Sequence, residues 1–346
     1  MRRINIFSLA MGLFAAASTF AQAPKPAGLA ARELALEAAM DKKDAKADRR
    51  SAKPANPPDI DINCNLQTGN NRSINAVLAR LDPHRAWTLE VSGTCNENVT
   101  IQSFENLTLI AKPGASINDP SGGNLDVLDV FDTHEFSLQG FTINGGVMGV
   151  GCADYSLCRF SGNTIQGAVL DGLVVARSQA SLQGDTLQNN GGRGLAAINS
   201  GVVLGIGITT QGNAAAGVIA ASGGHATFLN LTSRNNGGFG IRGANHSTLR
   251  LIDSTLTGNG LSGVRIDSSS EARFDTNTTG NLITGNGASG VDALDLSFAL
   301  FAGADQITGN NLFNPGGVDV FCGPQFSATR GALTSIGGGT TNCTEP

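Results

Sequence analysis

The stretch Asn213-Ala214-Ala215-Ala216-Gly217-Val218-Ile219-Ala220 returns 23 residues later as Asn236-Gly237-Gly238-Phe239-Gly240-Ile241-Arg242-Gly243. It returns again as Asn259-Gly260-Leu261-Ser262-Gly263-Val264-Arg265-Ile266. In each copy an Asn stands four residues before a Gly, and an aliphatic residue follows that Gly. Working outward, the Gly-aliphatic pair recurs at Gly149, Gly172, Gly194, Gly217, Gly240, Gly263, Gly290 and Gly317, at steps of 23, 22, 23, 23, 23, 27 and 27. Asn190, Asn213, Asn236, Asn259 and Asn286 keep the same step. A period of this length along one chain is the mark of a solenoid, in which each repeat packs only on its neighbours.

Alternation follows each repeat glycine. Leu173 and Val175, Val218 and Ala220, Val264 and Ile266, Val291 and Ala293, Val318 and Val320 point one way and the residues between them the other. A second apolar stretch follows in the same period, as in Leu249-Arg250-Leu251. Each coil therefore supplies two or three short strands, pairing in parallel with the coils on either side at about 4.8 Å per coil. The asparagines stack, each able to bond its own backbone and the Asn of the next coil. The glycine after each Asn supplies a positive φ or a tight corner. Helical repeats are excluded, because Gly-Asn-Gly interrupts every window of 3.6 periodicity. A leucine-rich repeat is the rival, but the leucines it needs are missing before Asn213.

Composition agrees with a thin, repetitive core. The 346 residues hold 46 Gly, 5% aromatics, one Trp and one Tyr, and Gly does not recur every third residue as collagen requires.

The entry sequence Val91-Ser92-Gly93-Thr94-Cys95, continuing Glu97-Asn98-Val99-Thr100-Ile101, resembles the opening of secreted right-handed parallel β-helix proteins of the pectate-lyase-like superfamily. Leu107-Thr108-Leu109-Ile110 and Leu138-Gln139-Gly140-Phe141-Thr142-Ile143 are similar to their next strands. The resemblance implies an all-β right-handed parallel β-helix of about 22–27-residue coils over 59–346, with Ser73 to Leu81 as a short cap helix. It is specific for fold and open on activity, since such folds serve lyases, hydrolases, epimerases, esterases and adhesins.

The chain begins with Arg2 and Arg3, an apolar run from Ile6 to Phe20 and small residues through Ala23. Residues 1–23 read as a Sec-type signal peptide, with cleavage favoured after Ala21. Residues 24–58 form an Ala/Lys/Pro-rich linker or frayed helix with 8 Lys/Arg against 5 Asp/Glu. Export makes the product secreted or periplasmic, with cell-surface association open, and no other segment can span a bilayer. The body from 59 carries 13 Lys/Arg against 23 Asp/Glu, and a net of −10 repels nucleic acid. Six cysteines in an exported chain read as disulfides. Nearest-neighbour pairing (Cys64 with Cys95, Cys152 with Cys158, Cys322 with Cys343) is one of several connectivities.

In such folds the groove along the first sheet binds the glycan. The residue two after each repeat glycine gives its outward column: Gly151, Val174, Ala196, Ile219, Arg242, Arg265, Asp292 and Asp319. Resemblance to pectate lyases implies Arg265 or Arg242 near a substrate carboxylate, with Asp292 as a catalytic partner. Asp292 and Asp319 are the candidate ligands for Ca2+, and Asp267 and Asp295 flank them. A second group, Asp132, Asp154 and Arg177, shares another column, with Asp129 beside it and Tyr155 next along. The alternative for both groups is an outer face of stacked Arg–Asp pairs. Asp82-Pro83-His84 reads as a turn, and His134, His225 and His246 fall in loops or turns without metal spacing.

Three functions stay open. The first is an exported solenoid that binds polysaccharide without catalysis. The second is a Ca2+-assisted lyase or epimerase on uronate-containing glycans. The third is an adhesin-like or oligomeric surface protein.

Overall fold

The computed structural model describes residues 59–313, 317–323, 328–330 and 336–343. The signal peptide and linker expected over 1–58 lie outside the described residues. Among the described residues three parallel sheets form one solenoid: sheet A with twelve strands from Asp59–Asn63 to Ala328–Arg330, sheet B with ten from Thr94–Asn96 to Gln306–Thr308, and sheet C with ten from Val99–Gln102 to Val320–Cys322. A typical coil runs Leu195–Ile198 in sheet C, Val202–Ile206 in sheet A and Thr209–Gln211 in sheet B. The next coil pairs with it in parallel, Leu195 beside Val218, Val202 beside His225 and Thr209 beside Thr232.

The alternation puts like residues on like. Leu173, Leu195, Val218, Ile241, Val264 and Val291 form one inward column, all fully buried. Phe136, Phe160, Phe228, Phe274 and Phe301 line sheet A inside the coils. Burial is therefore shared among neighbouring coils rather than gathered in one centre.

Polar ladders close the corners. At the corner between sheets B and C, the amide N–H and Nδ2 of Asn190 both donate to Asn213 Oδ1, at 3.1 and 2.9 Å. Asn213 does the same to Asn236, Asn236 to Asn259, Asn259 to Asn286 and Asn286 to Asn310. The Nδ2 atoms also donate to carbonyls of the preceding coil, so the buried backbone at the bend is satisfied. Between sheets A and B, Asn163 leans on Asp185, and Asn281 on Asp305. Serines serve between C and A, where Ser156 N–H donates to Ser178 and Ser247 N–H to Ser270.

Two expectations are corrected here. The glycines after the ladder asparagines do not take positive φ. That conformation belongs to the residue before each Asn, such as Asn189, Gly212, Asn235 and Gly258. The repeat glycines are required for space: a β-carbon on Gly194 would lie 2.7 Å from the Gly217 carbonyl and 2.8 Å from Asn213 Nδ2. The second correction is the last landmark, where Val291 pairs with Val320 rather than Val318. Asp319 therefore holds the repeat-glycine position, and Phe321 takes the outward place assigned to it.

The cysteines pair as nearest neighbours, Cys64–Cys95, Cys152–Cys158 and Cys322–Cys343. The cap helix is Ile74–Leu78, with Ser73 as N-cap and Ile74, Val77 and Leu78 buried. Glu97 accepts from Ser73 Oγ and from the amides of Ile74 and Asn75, anchoring the helix start. His225, expected in a turn, opens the sheet A strand His225–Leu229.

Candidate functional site

Register fixes the outer column of sheet C as Thr100, Asp129, Gly151, Val174, Ala196, Ile219, Arg242, Arg265, Asp292 and Phe321. Its two ends carry charge and its middle is small and apolar. Asp129 and Arg242 stand five rungs apart, about 24 Å at about 4.8 Å per rung.

At the cationic end the strands Ile241–Ala244 and Val264–Ile266 bring Arg242, Arg265 and Asp267 together. Asp267 Oδ2 accepts from Arg242 Nε at 3.0 Å and Arg265 Nε at 2.9 Å, and Oδ1 from Arg242 Nη2 at 3.1 Å. Both guanidiniums lie near the Phe239 ring, at 5.9 and 5.4 Å from its centroid. Burial pushes the Asp267 carboxyl up, but the two arginines outweigh it and hold the group below its ordinary value. Asp267 is thus a buried anchor that fixes two guanidiniums on the face. Asp292 is also buried, and its Oδ2 accepts the Ser262 hydroxyl.

Asp319 and Asp292 are not brought into one cluster. Asp319 ends the asparagine ladder: Oδ1 accepts from Asn310 N and Nδ2, and Oδ2 from the Thr340 amide and hydroxyl. Asp295 sits exposed in the turn after its strand, at φ 50°. Among the described residues, the one group of three ligand-type side chains with atoms within 4.8 Å is Cys64, Cys95 and Glu97. Its cysteines are bonded to each other and its Glu holds the helix start, so it is no metal site. The carboxylates at the Arg242 end do not form a donor set that fits Ca2+, which asks for six or more oxygens.

The structure does stack Asp132, Asp154 and Arg177. Each stands at positive φ in the turn after its sheet C strand, and Arg177 is paired with Asp154 while Ser103 Oγ donates to Asp132 at 3.0 Å. The Arg177–Asp154 pair is about half exposed, the condition under which such pairs contribute little. Tyr155 beside them is 82% exposed.

The acidic end holds groups that sequence reasoning missed or left aside. Asn98, Thr100, Asn124, Leu125, Asp126, Asp129, Val147 and Met148 enclose an open pocket of about 350 Å³ on the sheet C face. The loop that forms its rim is tied by Asp119, which accepts from Asn98 Nδ2 and the amides of Ser121 and Gly123. Asp126 Oδ1 accepts the Met148 amide at 2.8 Å. Asp129 is pushed up to about 7, first by burial and then by the charge and hydrogen bond of Asp126. Midway along the face, Arg193 grips the buried Asp171, with Nε at 2.9 Å from Oδ1. On sheet A, Arg250 and Arg273 both donate to Asp275, repeating the Arg242–Asp267–Arg265 device on the same coils.

Residues 146–315 match the family described as the right handed beta helix region. The described residues fold as a right-handed parallel β-helix. Among solved structures, this β-helix is similar to pectate lyase Pel9A at 11% identity and TM-score 0.56, over 72% of this chain and 75% of that one. It is similar as well to the A-module of the mannuronan C-5 epimerase AlgE6 of Azotobacter vinelandii. There the identity is 14% and the TM-score 0.58, over 71% of this chain and 74% of that one. At these identities the likeness is one of fold. A sequence search among curated proteins finds no match.

Proposed function

We propose that this β-helix is an exported polysaccharide-binding protein whose ligand lies along the outer column of sheet C. The observation that carries the reading is the column itself. A carboxyl pocket lies at one end and two guanidiniums held by one buried carboxylate at the other; between them Gly151, Val174 and Ala196 are buried and Ile219 is partly exposed. Fixed guanidiniums match the carboxylate of a uronate unit, which makes an acidic glycan the favoured ligand. Pectate lyase and mannuronan epimerase neighbours support a polysaccharide ligand by analogy of fold. Three disulfides and the signal-like N-terminus support an extracytoplasmic location.

A second reading, a lyase or epimerase on the same glycans, rests on Arg265 and Arg242 lying next to Asp292 in one column. The test is a screen of the mature chain on uronate-containing polysaccharides, with and without Ca2+. Ultraviolet absorbance of unsaturated products and reducing ends are followed beside direct binding. Binding without product is expected. A Ca2+-dependent rise in absorbance would replace the binding reading with the lyase.

A further inference from the structure

The Arg242–Asp267–Arg265 group differs from the other ion pairs along sheet C in its count of charges. Arg193 with Asp171, and Arg177 with Asp154, each match one guanidinium to one carboxylate. At Asp267 two guanidiniums share one carboxylate, so one positive charge is left over. The Arg242 and Arg265 side chains are 37% and 32% exposed and that of Asp267 is 4% exposed. The surplus charge therefore faces solvent while its anchor does not.

The two arginines use the anchor unequally. Arg242 gives it both Nε and Nη2, one whole edge of its fork. Arg265 gives it Nε alone. Among the described residues Arg265 makes no further hydrogen bond, which leaves both its Nη groups to a planar two-oxygen anion. The Phe239 ring backs the two guanidiniums.

The column is unlike on the two sides of this pair. Toward the start of the chain come Ile219, Ala196, Val174 and Gly151, none of them charged. On the other side Asp292 follows Arg265 in register without being ion-paired to it, and its Oδ2 accepts the Ser262 hydroxyl instead. One rung further, Phe321 takes the outward place on the last described strand of sheet C. An acidic unit lying past Arg265 meets the Asp292 carboxylate and then a bulky ring. A uronate chain carries a charge on every unit, so it fits this face best with one end at Arg265.

We propose that Arg242 and Arg265 form a chain-end subsite: they hold the carboxylate of the terminal unit of a uronate glycan, Arg265 grips it through its two Nη groups, and the chain leads away over Ile219 and Ala196. This rests on the reading of sheet C as the glycan-binding face. It adds a direction and a stoichiometry to that reading, with one protein seated per chain end rather than many along each chain.

The experiment is calorimetric titration of size-fractionated oligogalacturonates, short and long, into wild type and Arg265→Lys. Far-UV dichroism of both proteins checks the fold. The expected result is that the protein bound per chain stays constant from short to long fractions. Arg265→Lys, which keeps the charge but loses the fork, weakens binding about tenfold. Protein bound per chain that rises in proportion to chain length, or unaltered affinity in Arg265→Lys, overturns the subsite and leaves the binding face standing. Absence of binding to every fraction overturns the two together.

Discussion

Gly151 follows Asp129 on the outer column of sheet C, and a β-carbon on Gly151 would stand 2.5 Å from Asp129 Oδ1. The missing side chain leaves the room that the Asp129 carboxyl occupies over the next rung. Gly151→Ala should push the Asp129 carboxyl out of this space and toward solvent. Its proton affinity then drops from about 7 toward the ordinary aspartate value. Carbon-detected NMR titration of the carboxyl measures this. An unchanged titration would mean that packing over Gly151 does not set the proton affinity.

The asparagine ladder makes a prediction about stability. Asn236→Ala removes the Nδ2 bond to Asn259 and leaves both the Asn213 amide and its Nδ2 without their acceptor. The buried donors so stranded should cost about 1–3 kcal/mol. Gln211, on the exposed side of sheet B, also bridges coils, accepting from Arg234 and donating to Gln188. Gln211→Ala should change stability by no more than about 0.5 kcal/mol, because water replaces those partners. Urea midpoints of the two variants separate these cases.

Stability should depend on pH in a defined direction. Burial pushes Asp185 and Asp305 each up to about 6, so the folded chain binds protons that the unfolded chain has released. Their contribution is full below about pH 4 and is lost as pH rises through about 6. Asp305 Oδ2 is buried without a hydrogen-bond partner, while Oδ1 accepts both donors of Asn281. Asp305→Asn should therefore raise the thermal midpoint above about pH 6 and change it little near pH 4. A midpoint gain of equal size at both pH values would contradict this.

The disulfides should differ in weight. Cys64–Cys95 spans 31 residues and Cys152–Cys158 spans 6. Chain-entropy arguments give about 4 kcal/mol for the first and about 2 kcal/mol for the second. Paired Cys→Ala variants followed by chemical denaturation test the order.

Much of the fold is legible because a solenoid repeats its constraints. One Gly that cannot carry a side chain, one Asn that must reach the next coil and one inward aliphatic recur at nearly fixed steps. The site is less legible. Asp267 sits among outward residues in the sequence pattern, yet it is buried, covered by the Arg242 and Arg265 guanidiniums that it holds on the outer face, a burial that periodicity does not show. Asp319 reads as a groove residue only because Gly317 mimics the repeat glycine, while hydrogen bonding with Asn310 and Thr340 puts it at the end of the ladder. Asp126 lies before the Gly landmarks begin, beside the loop that Asp119 ties. Setting Leu128-Asp129-Val130 beside Val150-Gly151-Cys152 is the signal that finds Asp129.

The central claim, that glycan lies along sheet C, is tested most directly by one charge placed on either of two faces of a single coil. Ile219 points outward in the middle of the sheet C column, and Thr227 points outward from sheet A in the same coil. Binding of polygalacturonate near pH 5 is measured for Ile219→Glu and Thr227→Glu. The account predicts that Ile219→Glu weakens binding by about tenfold or more while Thr227→Glu leaves it within about twofold. Equal affinities in the two variants, or a loss confined to Thr227→Glu, would contradict it.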